Sequence, residues 1–405
     1  MNFDTGNTGF MLLATSLVML MTPGLAFFYG GLVGRKNVLA IMMQSFVSMG
    51  VTTVLWFLVG YSLCFSGDVG GVIGNLDMAL LSGVDLNSAF GADGTGQIPL
   101  FVFIAYQMMF AIITPALITG AFTNRVRFGA YLIFLIVWLL AVYFPLVHMV
   151  WGGGLLSSWG VKDFAGGIVV HASAGMAALA SVFFIGKRRV KDTGMHSIPL
   201  VALGTGLLWF GWYGFNAGSE LRVDGVTAQA FVNTDVSASF AAVTWLVIAW
   251  WVQKRASFVG LLTGAVAGLA TITPAAGFVT VPSAALIGVI AGAVCFMAVS
   301  LKTRLGWDDA LDVWAVHGVG GIIGTILVGV FAVASVGGVD GLLAGGGPSL
   351  VIKQTVAVLA VSAYAFLFSW GALWVINKLT PVRVTEAEEQ NLDASLHGEV
   401  AYDME

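Results

Sequence analysis

Charge is what this chain has least of. Of its 405 residues only 9% are Asp, Glu, Lys or Arg, against about 25% in an ordinary soluble domain. A soluble surface has to be solvated however large the core beneath it, so this shortage excludes a soluble globular protein. Cysteine is also scarce. Cys64 and Cys295 both lie inside apolar runs, leaving no disulfide framework or thiolate metal centre to read. No basic patch marks a nucleic-acid partner, and the net charge of −4 singles out no other. The segment from Met1 to Gly9 carries Asp4 and no Lys or Arg. A secretory leader needs a basic start, so the first apolar stretch reads as a retained span.

What is abundant is hydrophobic sequence, 58% of the chain. It comes in stretches of about 20 residues, each long enough to cross the hydrocarbon layer. Eleven spans are expected, at 10–32, 38–65, 100–122, 128–147, 166–185, 198–218, 231–252, 258–273, 284–301, 313–334 and 355–376. Basic residues set their direction. Arg35, Lys36, Arg125, Arg127, Lys187, Arg188, Arg189, Lys191, Lys254, Arg255, Lys302, Arg304, Lys378 and Arg383 fall on one side, 14 of the 17 in the chain. Lys162, Arg222 and Lys353 fall on the other. The N-terminus is therefore expected outside and the C-terminus in the cytoplasm, which requires an odd number of spans. The expected fold is an all-α integral membrane protein, with residues 1–380 as the transmembrane unit and 381–405 as a cytoplasmic tail.

The loop 66–97 carries Asp68, Asp77, Asp85 and Asp93 and no basic residue. It would gather cations loosely at the outer face. The simpler reading, favoured here, is a solvated loop from which topology excluded Lys and Arg. Three short echoes then run in order along the two halves. Ile113-Thr114-Pro115-Ala116 recurs as Ile272-Thr273-Pro274-Ala275, and Val170-His171-Ala172 as Val316-His317-Gly318. The first and sixth spans close on Phe28-Tyr29-Gly30-Gly31 and Trp212-Tyr213-Gly214-Phe215. Their common order points to a duplicated unit of five spans plus an extra eleventh. An odd-numbered unit enters the membrane from opposite sides in its two copies, so the halves are inverted. Such folds place their pathway near the bilayer midplane, between the repeats.

His171 and His317 fall mid-span at matching places in that repeat. An imidazole in hydrocarbon needs a partner. One isolated ring ordinarily bonds a helix carbonyl and serves only packing. Two symmetry-related rings have another option: they meet, share a proton between ring nitrogens, and turn their outer nitrogens toward a passing solute. Intramembrane ionisable groups usually mark solute pathways, and the matched pair favours that role. No carboxylate or thiolate lies in the same spans to complete a metal site. No cofactor and no enzymatic constellation is expected.

The segment Asp163-Phe164-Ala165-Gly166-Gly167-Ile168-Val169-Val170-His171 closely resembles the signature of the Amt/Mep branch of the ammonium transporter family. The resemblance covers nearly the whole chain. It includes Gln107-Met108-Met109-Phe110-Ala111, His148-Met149-Val150-Trp151-Gly152-Gly153-Gly154, Gly211 to Ser219 and Asp312 to Gly318. It runs on to Leu392-Asp393, His397-Gly398-Glu399 and Ala401-Tyr402 in the tail. It implies an ammonium transporter or channel of the cell (plasma or inner) membrane, without a cofactor and not an enzyme. Residue by residue, Trp151, Ser219 and Phe110 match the outer recruitment site, and Asp163 the acid beside it. Phe110 and Phe215 match the paired rings that close the pore, and His171 and His317 the twin histidines. The resemblance further implies a homotrimer with one pore per subunit and a tail packed on a neighbour's inner loops. It also implies a PII-type regulatory protein at the cytoplasmic pore mouth.

Elementary chemistry points the same way. An indole face replaces part of the water that ammonium loses, contributing roughly 0.5–2 kcal/mol. Carrying a bare charge through hydrocarbon costs more than that, and passage as neutral ammonia avoids this cost. Asp163 stands just before the fifth span, where capping exposed amides is the favoured role over direct cation contact. Most of the 13 tryptophans serve as interface anchors. His148 is expected to matter less for flux than the paired histidines. Asp235, Tyr106 and Glu220 depart from the family pattern, Asp235 with no visible partner. Seven acids from Glu386 to Glu405 make the tail acidic, which by composition alone reads as a solvated extension. The competing functional class is an ammonium sensor with little net flux.

Overall fold

The computed structural model describes residues 3–91, 97–190 and 194–402. Asp93, Lys191, Asp403 and Glu405, which belong to the charge pattern, lie outside the described residues. Ten of the described helices are long and apolar enough to cross a membrane. In chain order the apolar helices are α1 Thr5–Leu32, α2 Arg35–Phe65, α3 Leu100–Phe122, α4 Phe128–Trp159, α5 Gly167–Ile185 and α6 Ile198–Glu220. They continue with α7 Gly225–Gln253, α8 Phe258–Ile272, α9 Val281–Leu305, α10 Trp314–Phe331 and α11 Ser349–Leu379. Every stretch expected to span is helical. However, α8 has only 15 residues, a rise of about 22 Å, too short to count as a crossing by length alone.

Caps explain where hydropathy misjudged the ends. Helix α7 starts before residue 231 because the Asp224 carboxylate accepts the N–H groups of Val226 and Thr227 in a capping box. Asp4 caps α1, Ser257 caps α8 and Thr280 caps α9, each by accepting a single backbone N–H. Each supplies an acceptor for amides that have no partner inside the helix.

Lipid tails are as apolar as leucine, so helices in a membrane associate through close packing rather than hydrophobic exclusion. Small residues make that packing possible here. Helices α1 and α6 cross where Gly204 meets the Phe28 backbone and Gly24 meets Leu207. Gly264 and Gly268 of α8, with Gly288 and Gly292 of α9, let both helices reach the Ser237–Ala241 stretch of α7. A close crossing joins α5 to α10, where Gly175 and Gly318 meet backbone to backbone. A β-carbon on Gly175 would collide with Gly318, and forced overpacking costs about 1–3 kcal/mol. Gly175→Ala should therefore lower the melting temperature of the detergent-solubilised protein. Gly206→Ala, whose β-carbon meets open space, should leave it unchanged or raise it.

Helix α11 lies across α5 and α10, and the described part of the tail folds back onto its own chain. Glu388 pairs with Arg127 at 2.9 Å. The buried Glu389 accepts the Arg189 and Val190 amides. Asp393 accepts the N–H groups of Leu39 and Ala40 at 3.1 and 2.9 Å, capping the apolar part of α2. Three of the acids that composition assigned to a solvated extension, Glu388, Glu389 and Asp393, are thus spent on amides and arginine.

Candidate functional site

The two mid-span histidines both sit in wide, π-type turns at the starts of their helices. His171 lies in Gly167–Ala172 and His317 in Trp314–Val319. A wide turn inserts one residue into the helical ladder and moves a side chain out of its regular register, and such turns favour functional sites. Each turn is held by a carboxylate that stands eight residues before its histidine. Asp163 Oδ1 accepts Gly166 and Gly167 N–H at 2.8 and 2.7 Å, and Oδ2 accepts Ile168 and Val169 N–H at 2.7 and 3.2 Å. Burial pushes the Asp163 carboxyl above the ordinary carboxylate range, and the four amides pull against that shift. Asp309 accepts the N–H groups of Val313 and Trp314 at 3.1 and 2.8 Å. The sequence reading passed over Asp309. Its offset from His317, equal to that of Asp163 from His171, is the signal that finds it.

Between the turns, the Gly175–Gly318 crossing brings the imidazoles together. Their rings are 5.2 Å apart at 20°, with Nδ1 to Nδ1 at 3.2 Å. Hydrogen-bond logic then fixes which nitrogen carries each proton. Thr273 Oγ1 donates its single proton to the Leu269 carbonyl and accepts the Trp212 indole N–H at 2.9 Å. His171 Nε2, 3.3 Å from the same oxygen, must therefore be the donor. In a neutral ring its Nδ1 is then bare and accepts from His317 Nδ1–H. His317 Nε2 is left as an acceptor on a residue that lines two successive cavities. Trp212 stacks on His171 at 5.5 Å and fixes the ring plane. Thr273, in the segment echoed at Thr114, is a second residue the sequence did not single out.

Three cavities follow one another through the molecule. The one nearest Trp151 is lined by Gln107, Phe110, Trp151, Phe164 and Ser219. Phe110 closes it, packed on Phe215 with centroids 4.2 Å apart. Beyond Phe215 an apolar cavity contains both histidines among Leu25, Leu208, Val266 and Trp212. The last runs from His317 and Phe28 to Tyr29 and Asp312. Trp151 meets Phe110 edge-on at 6.0 Å, and its indole N–H is tied to the Asp163 carbonyl at 2.8 Å. Ser219 donates to the Phe215 carbonyl at 2.9 Å, so its oxygen keeps lone pairs for another donor. Of the expected site residues, Asp163 does not line this cavity. Its carboxylate is buried in amides, and its carbonyl holds the tryptophan.

This order of indole, packed phenyl rings and paired histidines invites comparison with known proteins. The model described as Ammonium Transporter Family matches residues 9–402. The chain belongs to the ammonium transporter family. It is similar to the ammonium transporter of Bacillus subtilis (strain 168), 45% identical over 402 residues and covering 98% of each chain. It is 44% identical over 401 residues to the ammonium transporter Amt1 of Archaeoglobus fulgidus, covering 98% of this chain and 99% of that one. Among solved structures it is similar to Mep2 of Saccharomyces cerevisiae, with a TM-score of 0.87 and 35% identity over 95% of this chain and 88% of that one. A solved sensor Amt protein has a TM-score of 0.87 and 30% identity, over 95% of this chain and 96% of that one. This member of the ammonium transporter family is a multi-pass membrane protein, and the family is one of transporters, not enzymes.

The three departures now have places in the family member's fold. Asp235 of α7 accepts the Trp209 indole and the Tyr213 hydroxyl of α6 at 3.1 and 2.7 Å. That supplies the partners the sequence could not name. The Tyr106 hydroxyl bridges the carbonyls of Gly214 and Phe215 and lies 3.2 Å from Ser219. Glu220 pairs with Arg222 at 2.8 Å.

Proposed function

We propose that the protein recruits ammonium at Trp151, Ser219 and Phe110, takes its proton, and conducts neutral ammonia past Phe110, Phe215 and the His171–His317 pair. The observation that carries this reading is the hydrogen bond between two neutral imidazoles in an apolar cavity. A bare ammonium ion there would find one acceptor, His317 Nε2, against a charge-transfer cost of at least about 2.5 kcal/mol. Neutral ammonia can donate to that nitrogen without this cost. The same chemistry rejects potassium, which has no proton to give up. The removed proton either returns to the entry side or crosses with the ammonia; only the second choice carries net charge.

The proposed architecture is eleven crossings, with the Trp151 face outside, the tail cytoplasmic and two inverted repeats of five helices. The close pairings of α1 with α6 and α5 with α10 support the repeat, as do the matching roles of Asp163 and Asp309. We extend the family resemblance to a homotrimer in the cell membrane and to a PII-type protein at the cytoplasmic mouth. Asp163 then serves recruitment indirectly, by fixing Trp151 through its carbonyl.

Trp151→Leu removes the indole face, worth roughly 0.5–2 kcal/mol to a cation. The expected result is a rise of roughly two- to thirtyfold in the half-saturating ammonium concentration. Ser219→Ala should act in the same direction. Uptake into proteoliposomes at graded ammonium concentrations measures both. A second reading, a sensor with little flux, draws on the likeness to the solved sensor Amt protein. It predicts neither ammonium-dependent current nor internal alkalinisation in proteoliposomes. Alkalinisation without current indicates neutral ammonia conduction, and current indicates accompanying charge.

A further inference from the structure

His148 lies in α4, three residues before Trp151, and its side chain is fully buried. Its Nδ1 is 2.9 Å from the Cys64 carbonyl oxygen, and its Nε2 is 3.0 Å from Asp68 Oδ1. A carbonyl oxygen only accepts, and so does an ionised carboxylate. Asp68 is well exposed and is held below the ordinary carboxylate range by hydrogen bonds from His148 and from the Gly71 N–H. Both ring nitrogens therefore face acceptors, an arrangement that a ring carrying a proton on each nitrogen satisfies.

The pair sits where it can set the position of the recruiting indole. Asp68 is fixed by the Gly71 N–H at 2.8 Å, and the Gly71 carbonyl accepts the Leu155 N–H at 2.7 Å. The turn Asp68–Gly71 thus grips the segment 148–155 at both ends, with Trp151 between them. The His148 carbonyl accepts the N–H groups of Gly152 and Gly154. Glycine is needed at both places, since a β-carbon on Gly152 would collide with the Cys64 carbonyl and one on Gly154 would lie 2.5 Å from the Gly71 carbonyl.

We infer that His148 is an imidazolium whose ion pair with Asp68 positions Trp151 for the incoming cation. This rests on the proposed recruitment role of Trp151. It makes His148 and Asp68 positioning residues that touch no solute, coupling the loop after α2 to the affinity of the mouth. Their loss should raise the half-saturating concentration and leave the maximal rate nearly unchanged.

The test combines a spectroscopic and a kinetic readout on the full-length protein in lipid. With ¹⁵N-labelled histidine, the His148 ring is assigned among the five histidines as the signal missing from His148→Gln. At neutral pH both its nitrogens should show the shifts of protonated imidazolium, and in Asp68→Ala one should become unprotonated. In uptake assays Asp68→Ala should raise half-saturation by up to about fivefold, and Asp68→Glu should restore it. A neutral His148 in the wild type would overturn the inference. So would an unchanged half-saturation in Asp68→Ala when Trp151→Leu raises it. If Trp151→Leu has no effect, the recruitment reading itself fails, and the nitrogen shifts separate that outcome from a wrong charge assignment.

Discussion

Proteoliposomes carrying His317→Ala should lose at least about four-fifths of their ammonium flux, and His171→Ala should do the same. The expectation follows from the hydrogen-bond chain that runs from Leu269 through Thr273 and His171 to His317. Removing His317 strips His171 Nδ1 of its donor and deletes the acceptor at His317 Nε2. Removing His171 strands the His317 Nδ1–H and leaves Trp212 without the ring on which it stacks. Each change leaves a buried polar group unpaired, a penalty of about 1–3 kcal/mol, or roughly five- to 150-fold in rate if it falls on the transport barrier. The effect should fall on maximal flux, in contrast to the half-saturation change expected of Asp68→Ala. His148→Ala should lower maximal flux less than either. Normalising to folded protein by size-exclusion chromatography separates a lost pathway from a lost fold. Three variants with equal, negligible effects would remove the histidine pair from the mechanism.

The second large effect concerns Asp163. Asp163→Ala takes the acceptor from four buried amides at once, those of Gly166, Gly167, Ile168 and Val169. At about 1–3 kcal/mol for each donor left unsatisfied, the four together reach about 4–12 kcal/mol, comparable to the whole stability of an ordinary domain, about 5–15 kcal/mol. Asp163→Ala should therefore yield little folded protein, or protein with a sharply lowered melting temperature. Asp163→Asn keeps one acceptor oxygen and should fall between. Because the freed turn carries His171 and the Asp163 carbonyl holds Trp151, the folded fraction of Asp163→Asn should also transport slowly. Thermal unfolding in detergent and flux per folded molecule measure the two parts. An Asp163→Ala protein that melts and transports like the wild type would refute the capping role.

Which parts of this molecule could be read from its sequence follows from how local each cause is. The apolar stretches and the matched histidines depend on residue type and spacing, and those survive in one dimension. The capping role favoured for Asp163 is equally local, since a carboxylate just before a helix meets the amides that follow it. The wide turns at His171 and His317 are not legible that way. They arise because Asp163 and Asp309 hold the amides while Gly175 and Gly318 press the two helices together from afar. Thr273 was hidden for a related reason. Its echo, Thr114, lies within α3 and bonds back to Phe110; Thr273 bonds back to Leu269 in the same way but stands just past the end of α8, where its oxygen also meets His171 and Trp212. Asp235 had no visible partner because Trp209 and Tyr213 lie on another helix. The tail was misjudged by composition, which counts acids but not the arginine and amides they meet.

The most direct test of the account is a paired measurement in proteoliposomes, with internal pH and current recorded together under equal gradients of ammonium and then potassium. The predicted result is an ammonium-dependent signal in the wild type that is lost in His317→Ala, with no response to potassium. Potassium entry through the wild type at a rate comparable to ammonium would contradict it, because a pathway that passes an ion with no proton to give up does not work by deprotonation.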